Sequence, residues 1–255
     1  MFETIRVDGE TGPVTRIVLA RPPLNILNIR MLEELADAVD AHATRADLRV
    51  LVIAAEGKAF SAGVDIADHT AERVRPMIAA FHGLFRRLAA CAPVTVAEVR
   101  GAALGGGCEL AGCCDLVLAA DTARFGQPEI ALALFPPVTA AAFPALMPAR
   151  KVLDLMLTGE IFDAAEAERI GLVSRVFPAA GFATDAAAFV TSLAARSGVA
   201  LRLAKKAWRA ALGVSFDEAL DRAEEIYLNE LMRTRDAHEG IAAFVEKRAA
   251  VWEDR

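Results

Sequence analysis

The sequence predicts an α/β fold of repeated strand–strand–helix units followed by an all-helical C-terminal region. Three observations carry this. Apolar, β-branched runs at 48–54, 93–99 and 115–119 read as buried strands. Gly63 and Gly106 occupy equivalent places in successive units, each just past a strand, so their backbone N–H groups could converge. From residue 181 onward the periodicity is helical throughout.

In chain order, 2–7 and 14–20 alternate around Asp8-Gly-Glu-Thr-Gly-Pro13 and predict a hairpin. Arg21-Pro-Pro-Leu-Asn25 is too proline-rich to continue a strand. Asn28 or a neighbour caps a helix to about residue 44, with Met31, Leu32, Leu35 and Val39 on one face. A glycine-containing loop, 56–66, follows the 48–54 strand. Residues 74–88 form an amphipathic helix. After the 115–119 strand, Glu129 lies in a loop; then come short helices at 150–157 and 164–170, broken at Gly159, and a strand at 172–177. Helices at 183–195, 200–212, 216–233 and 238–251 close the chain. The division expected is a core at 1–195 holding the site and a helical oligomerisation region at 196–255, whose surplus apolar face suits another subunit.

The net charge of −6 argues against nucleic acid as the main partner, though not against an anionic ligand held by local cations. Four cysteines, with no Cys-x-x-Cys and no neighbouring His, form neither a metal site nor a disulfide framework; buried free thiols in a reducing cytoplasm fit better. Residues 1–6 begin a strand rather than a signal peptide. Residues 131–149 are uncharged, but Pro136, Pro137, Pro144 and Pro148 would break a membrane span. That stretch predicts a buried loop and short helix lining a pocket.

The run Arg100-Gly-Ala-Ala-Leu-Gly105-Gly106-Gly107-Cys108-Glu109 sets glycines where a strand turns into a helix, with free N–H groups pointing outward. Neither the Rossmann nor the Walker spacing is met, and Glu109 would repel a phosphate. A tight-packing glycine turn remains open. So does an oxyanion hole beside a proton-moving carboxylate, for which a second carboxylate would decide. Glu129 is a candidate for that second acid, or else a solvated loop residue. There is no Gly-x-Ser-x-Gly elbow. His42, His69, His82 and His238 are scattered; His69 and His82 alone flank the region after Gly63.

Three segments, Gly57-Lys-Ala-Phe-Ser-Ala-Gly-Val-Asp-Ile66, Ala103-Leu-Gly-Gly-Gly-Cys-Glu-Leu-Ala111 and Phe125-Gly-Gln-Pro-Glu-Ile130, resemble the enoyl-CoA hydratase/isomerase family, the crotonases, in order and at its spacing. The likeness runs from about Leu19 to the C-terminus. It implies a crotonase-like spiral of ββα units with a C-terminal helical trimerisation region, assembled as a homotrimer or a hexamer. It implies that the N–H groups of Val64 and Gly106 form an oxyanion hole for a thioester carbonyl. Glu109 and Glu129, twenty residues apart, match the two hydratase acids. Ala62, Gly63, Val64, Asp65, Ile66 and Ala67, with Gly105 and Gly106, would hold the coenzyme A arm, and Phe244 and Lys247 match positions that touch it. No metal and no separate cofactor is implied, coenzyme A being part of the substrate, and neither a membrane nor nucleic acid is expected as a partner.

Two acids favour hydration over isomerisation. The alternatives are an isomerase, or another reaction of the family with Glu129 as sole acid/base, and a coenzyme A-binding scaffold without turnover. Where hydratases of the family carry a glycine-rich segment, this chain has Leu134-Phe135-Pro136-Pro137-Val138-Thr139-Ala140-Ala141. That bulk, with Phe135 among the expected substrate contacts, implies an acyl pocket of different shape. The segment and the ending 227–253 are similar to the subgroup that hydrates cyclohexa-1,5-diene-1-carbonyl-CoA.

Overall fold

The computed structural model describes residues 2–255. Strands β1 (Ile5–Asp8) and β2 (Val14–Leu19) form the expected hairpin, Ile5 pairing with Leu19. Helix α1 (Ile29–His42) starts at Asn28, whose side chain accepts the Met31 N–H and satisfies a donor the helix cannot. Met31, Leu32, Leu35 and Val39 are all buried, as their spacing requires.

The next segments alternate between two sheets. β3 (Val50–Ala55), β5 (Val94–Val99) and β7 (Leu116–Ala120) join a six-stranded sheet of order β1-β2-β3-β5-β7-β10, β10 being Arg175–Phe177, parallel except at β1. After each comes a three-residue strand belonging to the other sheet: β4 (Ala59–Ser61), β6 (Ala102–Leu104) and β8 (Arg124–Gly126). These lie parallel, with β9 (Ile161–Asp163) antiparallel to β8 at the edge. The 56–66 segment is therefore not only a loop, since β4 lies within it. The turn of glycines follows β6, not β5 directly. Three residues are too few for a period to declare itself.

Helices α2 (Val74–Ala90) and α3 (Gly106–Gly112) complete the first two units. The α3 helix takes Gly106 and Gly107 into its first turn. On one face of the large sheet, α1 and α2 bury Leu35, Phe81, Leu84 and Leu88 against Ile17, Leu51 and Ile53. Burial of each such side chain contributes about 1.5–3 kcal/mol. On the other face α7 (Phe182–Ala194) covers Val50, Val52, Val94, Val96 and Leu118 with Phe182, Ala186 and Val190.

Residues 131–149 depart from the expected buried stretch. Leu132, Leu134 and Phe135 are exposed, Phe135 by 65%, and burial starts only at Pro136 and in the short helix α4 (Pro137–Ala142). Helices α5 (Ala149–Thr158) and α6 (Ala164–Arg169) follow, Gly159 closing α5 at φ 66°. Strand β10 (Arg175–Phe177) is shorter than the apolar run that predicts it.

The C-terminal helices are α8 (Gly198–Ala210), α9 (Phe216–Asn229) and α10 (Arg235–Glu246). The last ends at Glu246 rather than near 251, Lys247 taking a left-handed φ of 55°. Two polar anchors hold this region to the sheet. Lys205 and Arg209 of α8 pair with the half-buried Asp115 at 2.5 and 2.9 Å, and Asp115 also accepts the Thr95 N–H at 2.7 Å. Arg49, ahead of β3, pairs with Asp254 at 2.9 Å.

Candidate active site

The site is assembled from three excursions that leave successive strands. The first is the 62–65 segment after β4. It pairs with the chain ahead of α1: the Leu27 N–H donates to Gly63 O at 2.9 Å and the Asp65 N–H donates to Leu27 O at 3.0 Å. In that parallel bridge the Val64 N–H faces away and donates to no acceptor among the described residues. Asn25 fixes the same stretch from beneath. Its buried amide donates to Glu56 O at 2.7 Å and Ala59 O at 2.9 Å.

The second excursion is the Gly105 turn. Gly105 has φ 49° and ψ −127°, a region that side chains other than hydrogen rarely enter. It aims the first N–H groups of α3 away from the helix, and Gly106, the first helical residue, has no intrahelical acceptor. A β-carbon on Gly106 would stand 2.6 Å from Val64 Cγ2 and 3.1 Å from the Phe81 ring. The structure thus brings Val64 and Gly106 against one another, as sequence spacing suggests but cannot establish.

The two carboxylates complete the arrangement. Glu109, one turn into α3, is 1% exposed. Its Oε1 accepts the Thr139 N–H at 2.7 Å. Burial pushes its pKa up to about 7, and the neighbouring Glu129 charge adds to the rise; the Thr139 and Val138 N–H groups and the Thr139 hydroxyl pull it back. Glu129 lies in the 3₁₀ turn Pro128–Leu132 and not in open loop. Its Oε1 is 2.5 Å from where a β-carbon on Gly105 would be, which sets the carboxylate on the glycine turn. Its buried Oε2 has no hydrogen-bond partner among the described residues, and burial raises its pKa. One buried and one half-buried acid, beside two amide donors without acceptors among the described residues, can move protons next to an oxyanion.

The remaining expected contacts separate into two groups. Ala62, Gly63, Val64, Asp65, Ile66, Ala67, Gly105 and Gly106 lie on the first two excursions, Asp65 capping the 3₁₀ turn Ile66–His69 through Ala67 N. Phe135 points to solvent. Phe244 and Lys247 end α10, which packs on α8; Phe244 borders an apolar groove of about 380 Å³ with Tyr227, Ile241 and Trp252. The chain does not bring these two to the acids. His69 Nδ1 contacts Asp65 O at 3.0 Å, and His82 holds a buried, unpartnered Nε2 on α2; neither is placed with the carboxylates.

Two residues escape a reading of the sequence. Gln127 is buried, and its Nε2 donates to the fully buried Thr139 Oγ1 at 2.5 Å. Gln127 stands in a family segment read for its acid, and Thr139 in a segment read for its bulk. Among the described residues no cluster of His, Cys, Asp or Glu suits a metal, and no single helix is long and apolar enough to cross a membrane.

Comparison with known proteins agrees with this geometry. A model described as enoyl-CoA hydratase/isomerase matches residues 9–255. A probable enoyl-CoA hydratase of Mycobacterium tuberculosis is 41% identical over 251 residues, covering 97% of each chain. The cyclohexa-1,5-dienecarbonyl-CoA hydratase of Thauera aromatica is 38% identical over 245 residues, covering 96% of this chain and 94% of its own. Among solved structures, an enoyl-CoA hydratase from Bacillus anthracis superposes with a TM-score of 0.93 at 31% identity, covering 99% of this chain and all of that one.

Proposed function

The chain belongs to the enoyl-CoA hydratase/isomerase family, and from that premise we propose how its residues carry out the chemistry and on what acyl group. It is a hydro-lyase of the enoyl-CoA hydratase type. Its substrate is a conjugated dienoyl-CoA, cyclic in the acyl part, hydrated at one C=C bond or formed by the reverse loss of water.

The observation that carries the mechanism is the Val64–Gly106 amide pair beside the Glu109 and Glu129 carboxylates. The two N–H groups take the thioester oxygen as negative charge develops on it; loss of one such donor typically costs about 3–4 kcal/mol. Glu109, which accepts the Thr139 N–H, is the carboxylate and removes a proton from water as the water oxygen bonds to Cβ. Glu129, half-buried and without a donor at its buried Oε2 among the described residues, is the acid and delivers its proton to Cα as the enolate collapses. The two acids exchange protons with solvent before the next turnover.

Support for a cyclic acyl group comes from the Thauera aromatica relative and from the 134–141 segment, where Pro136, Val138 and Thr139 are buried in place of a glycine-rich turn. A relative named 2,3-dehydroadipyl-CoA hydratase, 34% identical, marks the competing open-chain class. Coenzyme A belongs to the substrate, and no further cofactor takes part. The protein acts in the cytoplasm as a homotrimer or a dimer of trimers. Phe244 and Lys247 of a neighbouring copy then reach the coenzyme A arm that they do not reach on their own chain.

Thioester absorbance with cyclohexa-1,5-diene-1-carbonyl-CoA, crotonyl-CoA and longer enoyl-CoA esters tests the assignment. Turnover at least tenfold faster, as kcat/KM, on the cyclic ester supports it. Preference for a straight chain refutes the acyl assignment. No loss of absorbance with any ester, despite binding, refutes hydration.

A further inference from the structure

We propose that Thr139, supported by Gln127, is the positioning residue that keeps Glu109 ionised and aimed at the water it activates. The proposal rests on the hydration reading above. Glu109 sits in a helix of small apolar residues, Gly106 to Gly112, all buried. Left alone there, its carboxyl would hold its proton and could not act as a base.

Thr139 counters this from α4. Its N–H reaches Glu109 Oε1 at 2.7 Å, and its hydroxyl also favours the charged carboxylate. The Gln127 amide N–H donates to Oγ1 at 2.5 Å, so the oxygen serves there as acceptor and its hydrogen is left to donate elsewhere. Gln127 and Thr139 are 1% and 0% exposed, so water cannot substitute for either. The chain Gln127–Thr139–Glu109 also ties the segment that carries Glu129 to the helix that carries Glu109, and so holds the two acids in register.

The titratable groups around Glu109 are few. Glu129 faces it from the 128–132 turn, Cys108 lies on its own helix and Cys113 just past that helix's end. Burial raises both thiols far enough to keep them neutral. Helix α4 contributes no charge. With the Val138 N–H, Thr139 and its amide support are thus the polar groups through which α4 favours the Glu109 anion.

The test uses Thr139→Val, which keeps the N–H and the shape and deletes the hydroxyl, with Thr139→Ser and Gln127→Leu beside it. Wild type is first assayed with crotonyl-CoA and cyclohexa-1,5-diene-1-carbonyl-CoA. The Thr139→Val enzyme should lose about tenfold or more in kcat at pH 7 with KM changed less than about twofold, since a hydrogen bond to a charged group is lost. The acidic limb of its pH profile should move up by about one unit. Thr139→Ser should restore both, and Gln127→Leu should move both the same way by less. The Glu109 side-chain carbon, titrated by ¹³C NMR in the free enzyme, reads the same shift without turnover. An unchanged midpoint in Thr139→Val, or a Thr139→Ser enzyme as impaired as Thr139→Val, overturns the proposal. If Thr139→Val does not fold, the Gln127→Leu midpoint decides, a rise supporting the proposal and no change overturning it. Wild type that hydrates neither ester but shows the expected midpoints refutes the reaction and leaves the positioning role standing.

Discussion

The Glu129 carboxylate rests on the backbone of Gly105, its Oε1 2.5 Å from the point a β-carbon at 105 would occupy. The acid and the turn that aims the α3 N–H groups are thus fitted to one another. An Ala at 105 would need a φ of 49° that disfavours side chains, and would push the carboxylate off its seat. Gly105→Ala should therefore lose about 10²-fold or more in kcat and about 1–3 kcal/mol in stability. Kinetics and urea unfolding on the same preparation check both figures. Full activity with a displaced Tm would show that the contact is only structural.

The two acids should fail separately. Glu109→Gln and Glu129→Gln each keep size and hydrogen bonding but cannot take and return a proton. Each should lower hydration by about 10²–10⁴-fold, while calorimetry shows coenzyme A ester binding little changed. Product formed in heavy-oxygen water carries label if water adds. Wild type that shifts a double bond without label would make Glu129 a lone acid/base and the chain an isomerase.

Acidity should act on activity and stability in opposite directions. Glu109 must be charged to act as a base, so kcat/KM should fall as pH drops below about 7. For stability, the folded pKa of about 7 lies above the ordinary carboxyl value of 4.5, so the folded state keeps a proton that the unfolded chain has released. The stabilisation by this neutral carboxyl is complete below 4.5 and is lost as pH rises through 7. At about 1.4 kcal/mol per pH unit, the loss is on the order of 3 kcal/mol. Glu109→Gln should therefore melt higher than wild type at pH 8 and near it at pH 4. Parallel melting curves at both values would remove Glu109 as the source.

Lys205 tests the anchor between α8 and the sheet. Its side chain is 7% exposed and pairs with Asp115, itself held by Thr95 and Arg209. Burial lowers the Lys205 pKa while Asp115 opposes the fall. Lys205→Met should cost about 1.5–3 kcal/mol by removing one of the charged partners of Asp115, read as a shift in the denaturant midpoint. Lys205→Met with Asp115→Asn should recover part of it.

The exposed apolar side chains of the C-terminal helices, including Phe216, Ile241, Phe244 and Val245, should be covered by another copy. Light scattering should give three or six times the 27.1 kDa chain mass. Phe244→Asp should shift the mass downward and raise KM more than it lowers kcat. A wild-type monomer at assay concentration would remove the shared-site arrangement.

The long elements were legible because burial writes a period into them: the α1 face, β3 and β5 follow from where apolar residues recur. The second sheet was not, because β4, β6 and β8 are three residues each and read as loop. Both acids and the Gly106 turn could be singled out by chemical type and by resemblance. Gln127 and Thr139 could not, since an amide and a hydroxyl mean nothing at a site until folding brings them within 2.5 Å of each other. Phe135 shows the opposite case, a bulky residue read as a substrate contact that is exposed on its own chain.

Asp115 immediately follows the stretch that closes α3, and the cations that neutralise it arrive some ninety residues later in the chain. Until α8 has been made, that carboxylate has Thr95 as its chief company. A polypeptide cut ahead of α8 would not yield a smaller working catalyst: the missing Lys205 and Arg209 would leave a stranded charge at the start of β7. Engineers who wish to trim or fuse this protein should leave its tail intact.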